Sequence, residues 1–162
     1  MAAYYFDTSA LVKRYAQETC TVWVRNVTNA FANHEIYTAQ LTGPEMIAAL
    51  FRKIRKGQIS QSEANQFAND FRVAWQQQYQ IIEVTVGLIE RAMSLAEIHQ
   101  LRGYDSVHLA AALVVQEVDK QTFFNRLKEI RFFGKIGFLE MCQPIKLNSL
   151  IVLKTIYYFV TH

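Results

Sequence analysis

Three carboxylates stand where the chain passes from one element to the next. Asp7 follows the apolar run YYF (4–6) and precedes the helix-forming SALVKRY; Glu45 sits in GPEMIAAL and Asp105 in LRGYDSVHLAAAL. Each acid is followed by a mostly apolar helical segment that must face a core, so each charge lies at the boundary of the interior. Such a position is expensive unless the charge is paired or binds a cation. Hard oxygen donors gathered at strand ends suit Mg2+ or Mn2+. A divalent ion held there can activate water for attack on a phosphodiester. Taken singly, each acid also suits a structural role, because Asp caps helices and acids in first turns are favoured by the helix dipole. Spacings of 38 and 60 residues do not by themselves bring the three together.

The elements that must position these acids follow from periodicity. YYF reads as a short buried strand. From Ser9 the pattern turns helical, and a second helix is expected over 19–32 with Val22, Trp23, Val27 and Ala30 on one face. Residues 36–39 read as a short strand. Gly43-Pro44 opens a helix, with proline near the first-turn position that tolerates it. Its apolar face is Met46, Ile47, Ala49, Leu50 and Ile54. Its last turns hold Arg52, Lys53, Arg55 and Lys56, and Gly57 ends it. Ser60 and Glu63 have the spacing of a capping box, ahead of Ala64, Phe67, Ala68, Phe71 and Trp75. Residues 79–84 read as a strand and Thr85 as the cap of a helix to about His99, broken by Gly103. Residues 104–118 are the last strong helix, with Asp119 at its end. Strands are also expected near 130–133 and 150–153. Strands alternating with helices imply an α/β domain with a parallel sheet. Ligands bind such sheets at the carboxyl ends of strands, near the switch in strand order. Asp7 stands at one of those ends.

Composition narrows the class. The 162 residues are 51% hydrophobic and 19% charged, which fits one soluble domain with a core. The start MAAYYFDTSA carries an acid at position 7 and no basic run, unlike a signal peptide. The apolar stretch 150–160 is broken by Lys154 and is too short to span a bilayer. Cys20 and Cys142 do not make a disulfide framework and have no metal-binding spacing. A cytoplasmic protein without a membrane partner is expected. The net charge of +3 says little about nucleic acid, but its distribution is uneven. Residues 1–119 hold 10 Lys/Arg and 12 Asp/Glu, whereas residues 120–162 hold 7 and 2. All 17 alanines precede residue 120, and 8 of the 21 aromatics follow it. No repeat or low-complexity tract accompanies the change. Residues 1–119 therefore form the core, and 120–162 an atypical C-terminal segment of the same domain.

What joins the three acids is a resemblance. YYFDTSALVKRY, LTGPEMIAAL and LRGYDSVHLAAAL, in this order and at these distances, resemble the motifs of PIN-domain proteins of the VapC toxin type, and RKIRKGQIS is similar too. The first and third segments are the specific ones, and the resemblance covers roughly residues 3–118. It implies a three-layer α/β/α sandwich around a small parallel sheet. It also implies a Mg2+- or Mn2+-dependent endoribonuclease, the toxin of a toxin–antitoxin pair, held inactive by its antitoxin and homodimeric. Carried over residue by residue, Asp7, Glu45 and Asp105 become the catalytic, metal-binding acids. Thr8 or Ser9 becomes a supporting hydroxyl beside them.

The tail departs from that pattern. PIN domains carry a further acid at a strand end some two dozen residues after the third. Here that region reads LKEIRFFGKIGFLEMC, and no Asp follows Asp119. Glu117, Asp119, Glu129 and Glu140 lack the right setting, so no fourth ligand is assigned. The tail is either a divergent element or the product of a reading-frame change after about residue 120. The boundary it shares with the loss of alanine favours the second. A lost last strand would leave an exposed sheet edge. A second function follows from this: a PIN-like module that docks an antitoxin or dimerises without cutting. A phosphoaspartate or nucleotide site is a third, but Gly43, Gly57, Gly87 and Gly103 are scattered and form no phosphate loop. Arg52, Lys53, Arg55 and Lys56 suit a solvated helix end better than RNA phosphates. Arg102 and Tyr104 flank the third acid, placed to touch substrate or antitoxin or simply to pack. His108 is three residues after Asp105, within reach of a hydrogen bond to it, although such a histidine is more often satisfied within its helix. Trp23 and Trp75 read as core or interface anchors.

Overall fold

Every residue of β1 (Ala3–Phe6) is buried, and alternate side chains enter two different cores. Tyr4 and Phe6 join one cluster, Ala3 and Tyr5 the other. That alternation is the period-2 geometry of a strand covered on both faces. The computed structural model describes residues 2–122 and the strand segments 130–133 and 145–146.

Around β1 run α1 (Thr8–Tyr15), α2 (Thr21–Val27), β2 (Glu35–Ala39), α3 (Thr42–Arg55), α4 (Gln61–Gln77), β3 (Tyr79–Ile82), α5 (Val86–His99), α6 (Gly103–Thr122), β4 (Ile130–Phe133) and β5 (Ile145–Lys146). The sheet order is β3-β2-β1-β4-β5. β1 pairs in parallel with β2 and β4, β2 in parallel with β3, and β4 antiparallel with β5. Crossovers between parallel strands are right-handed. The path β1 to β2 to β3 therefore lays α1 to α4 on one face, around Leu11, Val24, Met46, Leu50 and Phe71. The return from β3 across to β4 reverses direction and puts α5 and α6 on the other, around Leu88, Ala92 and Ala110–Ala112. The result is the expected three-layer α/β/α sandwich. The reversal in strand order falls between β1 and β4, beside Asp7.

Local signals explain most element ends. Asp7 caps α1, its Oδ1 accepting from the Ala10 N–H at 2.8 Å. The Ser60–Glu63 capping box opens α4, Thr85 caps α5, and Gly57 follows α3 at φ +65°. Trp23 and Trp75 pack against the first core.

Several expectations need correction. The helix expected over 19–32 ends at Val27, followed by a separate 3-10 turn, Ala30–Ala32. The Thr28 hydroxyl bonds back to the Val24 carbonyl and the Asn29 side chain caps the turn, so local polar groups replace the continuing helix. Val22, expected on the apolar face, is exposed, as are Ile89 and Met93 of α5. Gly103 does not end α5: Gln100, in the left-handed region at φ 52°, does so, and Gly103 is the first residue of α6. α6 runs on to Thr122, past Asp119, since no breaker intervenes. The strand expected at 130–133 forms and pairs with β1, so β1 is not an edge; the one expected at 150–153 lies outside the described residues. Cys20 is disulfide-bonded, and Cys142 lies outside the described residues. Among the described residues no helix is long and apolar enough to cross a membrane.

The end of β1 is tied to β2 by a buried hydroxyl pair. Thr38 Oγ1 donates to the Phe6 carbonyl at 2.8 Å and lies 2.6 Å from Thr42 Oγ1. Replacing Thr38 with Val keeps the shape and orphans the buried Thr42 hydroxyl. Urea titration should show Thr38→Val losing about 1–2 kcal/mol of stability.

Candidate active site

The three acids reach one place by three routes. Asp7 leaves the carboxyl end of β1. Glu45 lies in the first turn of α3, just beyond the end of the neighbouring parallel strand β2. Asp105 lies in the first turn of α6, which packs on the opposite face of the sheet. All three line an open cavity of about 580 Å³, together with Thr8, Ser9, Arg52, Arg102, Tyr104 and His108. The N-termini of α1, α3 and α6 thus border the same space, and each brings the positive end of its dipole to an acid.

The hydroxyls expected to support the site divide their work. Ser9 Oγ donates to both oxygens of Asp7, at 2.8 and 3.0 Å. With the Ala10 N–H, this anchors a carboxylate that is only 6% exposed. Thr8 Oγ1 donates instead to Glu45 Oε2. The same oxygen lies 3.0 Å from His108 Nε2. Burial pushes the Glu45 carboxyl up, but the hydrogen bonds from His108 and Thr8 outweigh it and hold the group below the usual glutamate range. Glu45 is therefore ionised at neutral pH.

His108 does not pair with Asp105, the partner its spacing suggested. It reaches across the cavity to Glu45, 63 residues away in sequence, and its Nδ1 lies 2.9 Å from the hydroxyl of Tyr5. Tyr5, read from sequence only as an apolar strand residue, was missed, and a strand's alternation carries no signal for such a bond. Arg52, assigned to a solvated helix end, lines the cavity. The signal for it was present: seven residues after Glu45 is two helical turns, hence the same face. Arg102 and Tyr104 line the cavity as well, with Tyr104 exposed.

The donor chemistry fits a hard divalent cation: three carboxylates and two hydroxyls, all oxygen. Among the described residues, however, no group of three or more His, Cys, Asp or Glu side chains is gathered closely enough to hold a metal ion between them. An open arrangement is compatible with Mg2+, which keeps several waters and is held by one or two carboxylates plus substrate phosphate. Asp7, Glu45 and Asp105 are the residues that could hold it. Of the acids considered for a fourth ligand, Glu117 is bound by Arg91 at 2.7 and 2.8 Å between α5 and α6. Glu129 and Glu140 lie outside the described residues.

No protein-family model matches the chain. Two curated proteins from strains of Mycobacterium tuberculosis, Ribonuclease VapC45 and Ribonuclease VapC49, are each 33% identical to it over 115 residues, covering 71% of this chain and 78% of theirs. A chain in the crystal structure of VapBC2 from Rickettsia felis, bound to a DNA fragment from their promoter, superposes with a TM-score of 0.50 at 13% identity. That match covers 82% of this chain and 99% of the other, and supports the fold. The extent and identity of the match to the two ribonucleases place this chain in the VapC family of PIN-domain proteins.

Proposed function

We propose that this protein is a divalent-metal-dependent endoribonuclease, the toxin of a toxin–antitoxin pair, acting in the cytoplasm. The observation that carries the proposal is the meeting of Asp7, Glu45 and Asp105 in one cavity at the switch in strand order, in a chain of the VapC family. Mg2+ or Mn2+ bound there would supply Lewis-acid activation of water and neutralise charge at the scissile phosphate. The chain's own part is to hold that ion and to orient RNA against it. Asp7 is the most rigidly placed ligand, fixed by Ser9 and by the first turn of α1. Arg52 and Arg102 bring positive charge to the cavity and engage the phosphates flanking the scissile bond. No side chain serves as a covalent nucleophile. A cognate antitoxin and a second copy of the chain are the proposed protein partners. A PIN-like core over residues 1–119 is part of this reading, and the 115 residues matched by each curated relative are a similar length.

Asp7→Asn separates capping from chemistry, because an amide oxygen still caps α1 while the charge is gone. Purified Asp7→Asn should keep a wild-type circular dichroism spectrum and lose cleavage of RNA, whereas Asp7→Ala should also lose about 1 kcal/mol of stability. Chelation should silence the wild type and added Mn2+ restore it. Unchanged cleavage by Asp7→Asn would sink the assignment. A wild-type chain that binds antitoxin yet cuts nothing with Mg2+ or Mn2+ favours the non-cutting module instead.

Removing Arg102 tests the phosphate role. Arg102→Ala should weaken RNA binding for all sequences alike and lower the slope of log affinity against log salt by roughly 0.7 for one lost contact to single-stranded RNA. An unchanged slope assigns Arg102 to packing or to the antitoxin. For the tail, translating the same DNA in the other two frames should yield a strand ending in Ser/Thr-x-Asp after residue 120. If neither frame does, the segment is a divergent element.

A further inference from the structure

Glu45 is gripped by one oxygen only. Oε2 takes both the Thr8 hydroxyl and His108 Nε2, and Oε1 accepts no hydrogen bond among the described residues. Glu45 Oε2 accepts from Nε2, 3.0 Å away, when the ring's proton sits on that nitrogen. The other nitrogen, Nδ1, lies 2.9 Å from Tyr5 Oη. Tyr5 is fully buried, so its hydroxyl is satisfied only by protein groups, and Nδ1 is within hydrogen-bond reach. A tyrosine hydroxyl that donates to Nδ1 leaves the ring's proton on Nε2, on the side of Glu45. Tyr5, His108, Glu45 and Thr8 form one directed chain from the second core to the cavity. His108 itself is 4% exposed, so solvent offers it little alternative.

We propose that Tyr5 and His108 are positioning residues: Tyr5 sets the tautomer of His108, His108 and Thr8 lock Glu45 through Oε2, and Oε1 is thereby presented to a divalent cation. This rests on reading the cavity as a metal site. It assigns to one strand aromatic and one helix histidine a task beyond filling the core. A carboxylate free to swing would meet the ion with either oxygen or both; the two-donor grip selects one.

Two measurements on the full chain test it. In the metal-free wild type, long-range 1H–15N spectra should show His108 as the Nε2–H tautomer, and Tyr5→Phe should shift it toward a mixture. Mn2+ titration by calorimetry should show His108→Ala binding about 10- to 100-fold more weakly, as losing a partner of a metal ligand does. His108→Gln, which still offers an N–H near the Nε2 position, should recover most of that loss. An Nδ1–H tautomer in the wild type overturns the proposal without any variant. So does a His108→Ala protein that binds Mn2+ like wild type while Asp7→Asn does not, an outcome that leaves the metal-site reading intact. If the wild type binds no Mn2+, or Asp7→Asn leaves binding unchanged, the metal-site reading fails and the positioning role falls with it.

Discussion

A carboxylate that is 6% exposed, at the end of the central strand, is the constraint around which the rest of this protein is arranged. Asp7 cannot be left without partners in that position, because a buried charge with no hydrogen bonds is costly. The first turn of α1 answers part of the demand with a backbone N–H and the Ser9 hydroxyl. The sheet then brings more negative charge to it. Because β1 and β2 are parallel neighbours, the helix following β2 starts beside the helix following β1, and Glu45 arrives with it. Because the chain reverses direction after β3, α6 comes from the opposite face and delivers Asp105 to the same opening.

Magnitudes decide what such an arrangement favours. Any two carboxylates about 7 Å apart repel by roughly 2 kcal/mol at an effective dielectric near 20. A helix N-terminus returns about 0.3–1 kcal/mol to each acid. Three helix termini therefore lessen the repulsion among three acids without removing it. Under the proposed function, a divalent cation would settle the remainder. The capping role of Asp7 is accordingly no rival to its proposed role as a ligand: the cap is how the fold tolerates a buried carboxylate there.

This balance also explains what could be read from sequence. Local chemistry was legible where one residue decides an outcome, as with the Ser60–Glu63 box, Thr85, and Gly57 at φ +65°. It failed where side chains competed with the backbone, as at Thr28 and Asn29, which end the second helix early. The acids were legible as types but not as a group, since periodicity relates neighbours on one element and says nothing of elements 38 or 60 residues apart. Family motifs supplied that link. His108 shows the limit most clearly. Helical spacing put it on the face of Asp105, which is correct. Its partner lies on another helix, and only the meeting of the N-terminal turns of α3 and α6 at the carboxyl end of the sheet reveals Glu45.

The same meeting of helix ends gives the cavity two kinds of charge. Its acids repel a phosphodiester, while Arg52 and Arg102, further along α3 and just before α6, attract one. Neither set alone makes a site for RNA. With the acids neutralised by a divalent ion, the net field of the cavity turns positive and the phosphate can approach both the ion and the arginines. Under the proposed function, metal binding therefore precedes productive RNA binding for an electrostatic reason, independent of any movement of the chain. On the same proposal, helix dipoles that steady the acids would also favour a phosphate once an ion was bound, since their positive ends border the same opening. One geometric choice, placing three helix N-termini at the end of β1, thus steadies the folded state and, under the proposed function, would serve the ion and the substrate in turn.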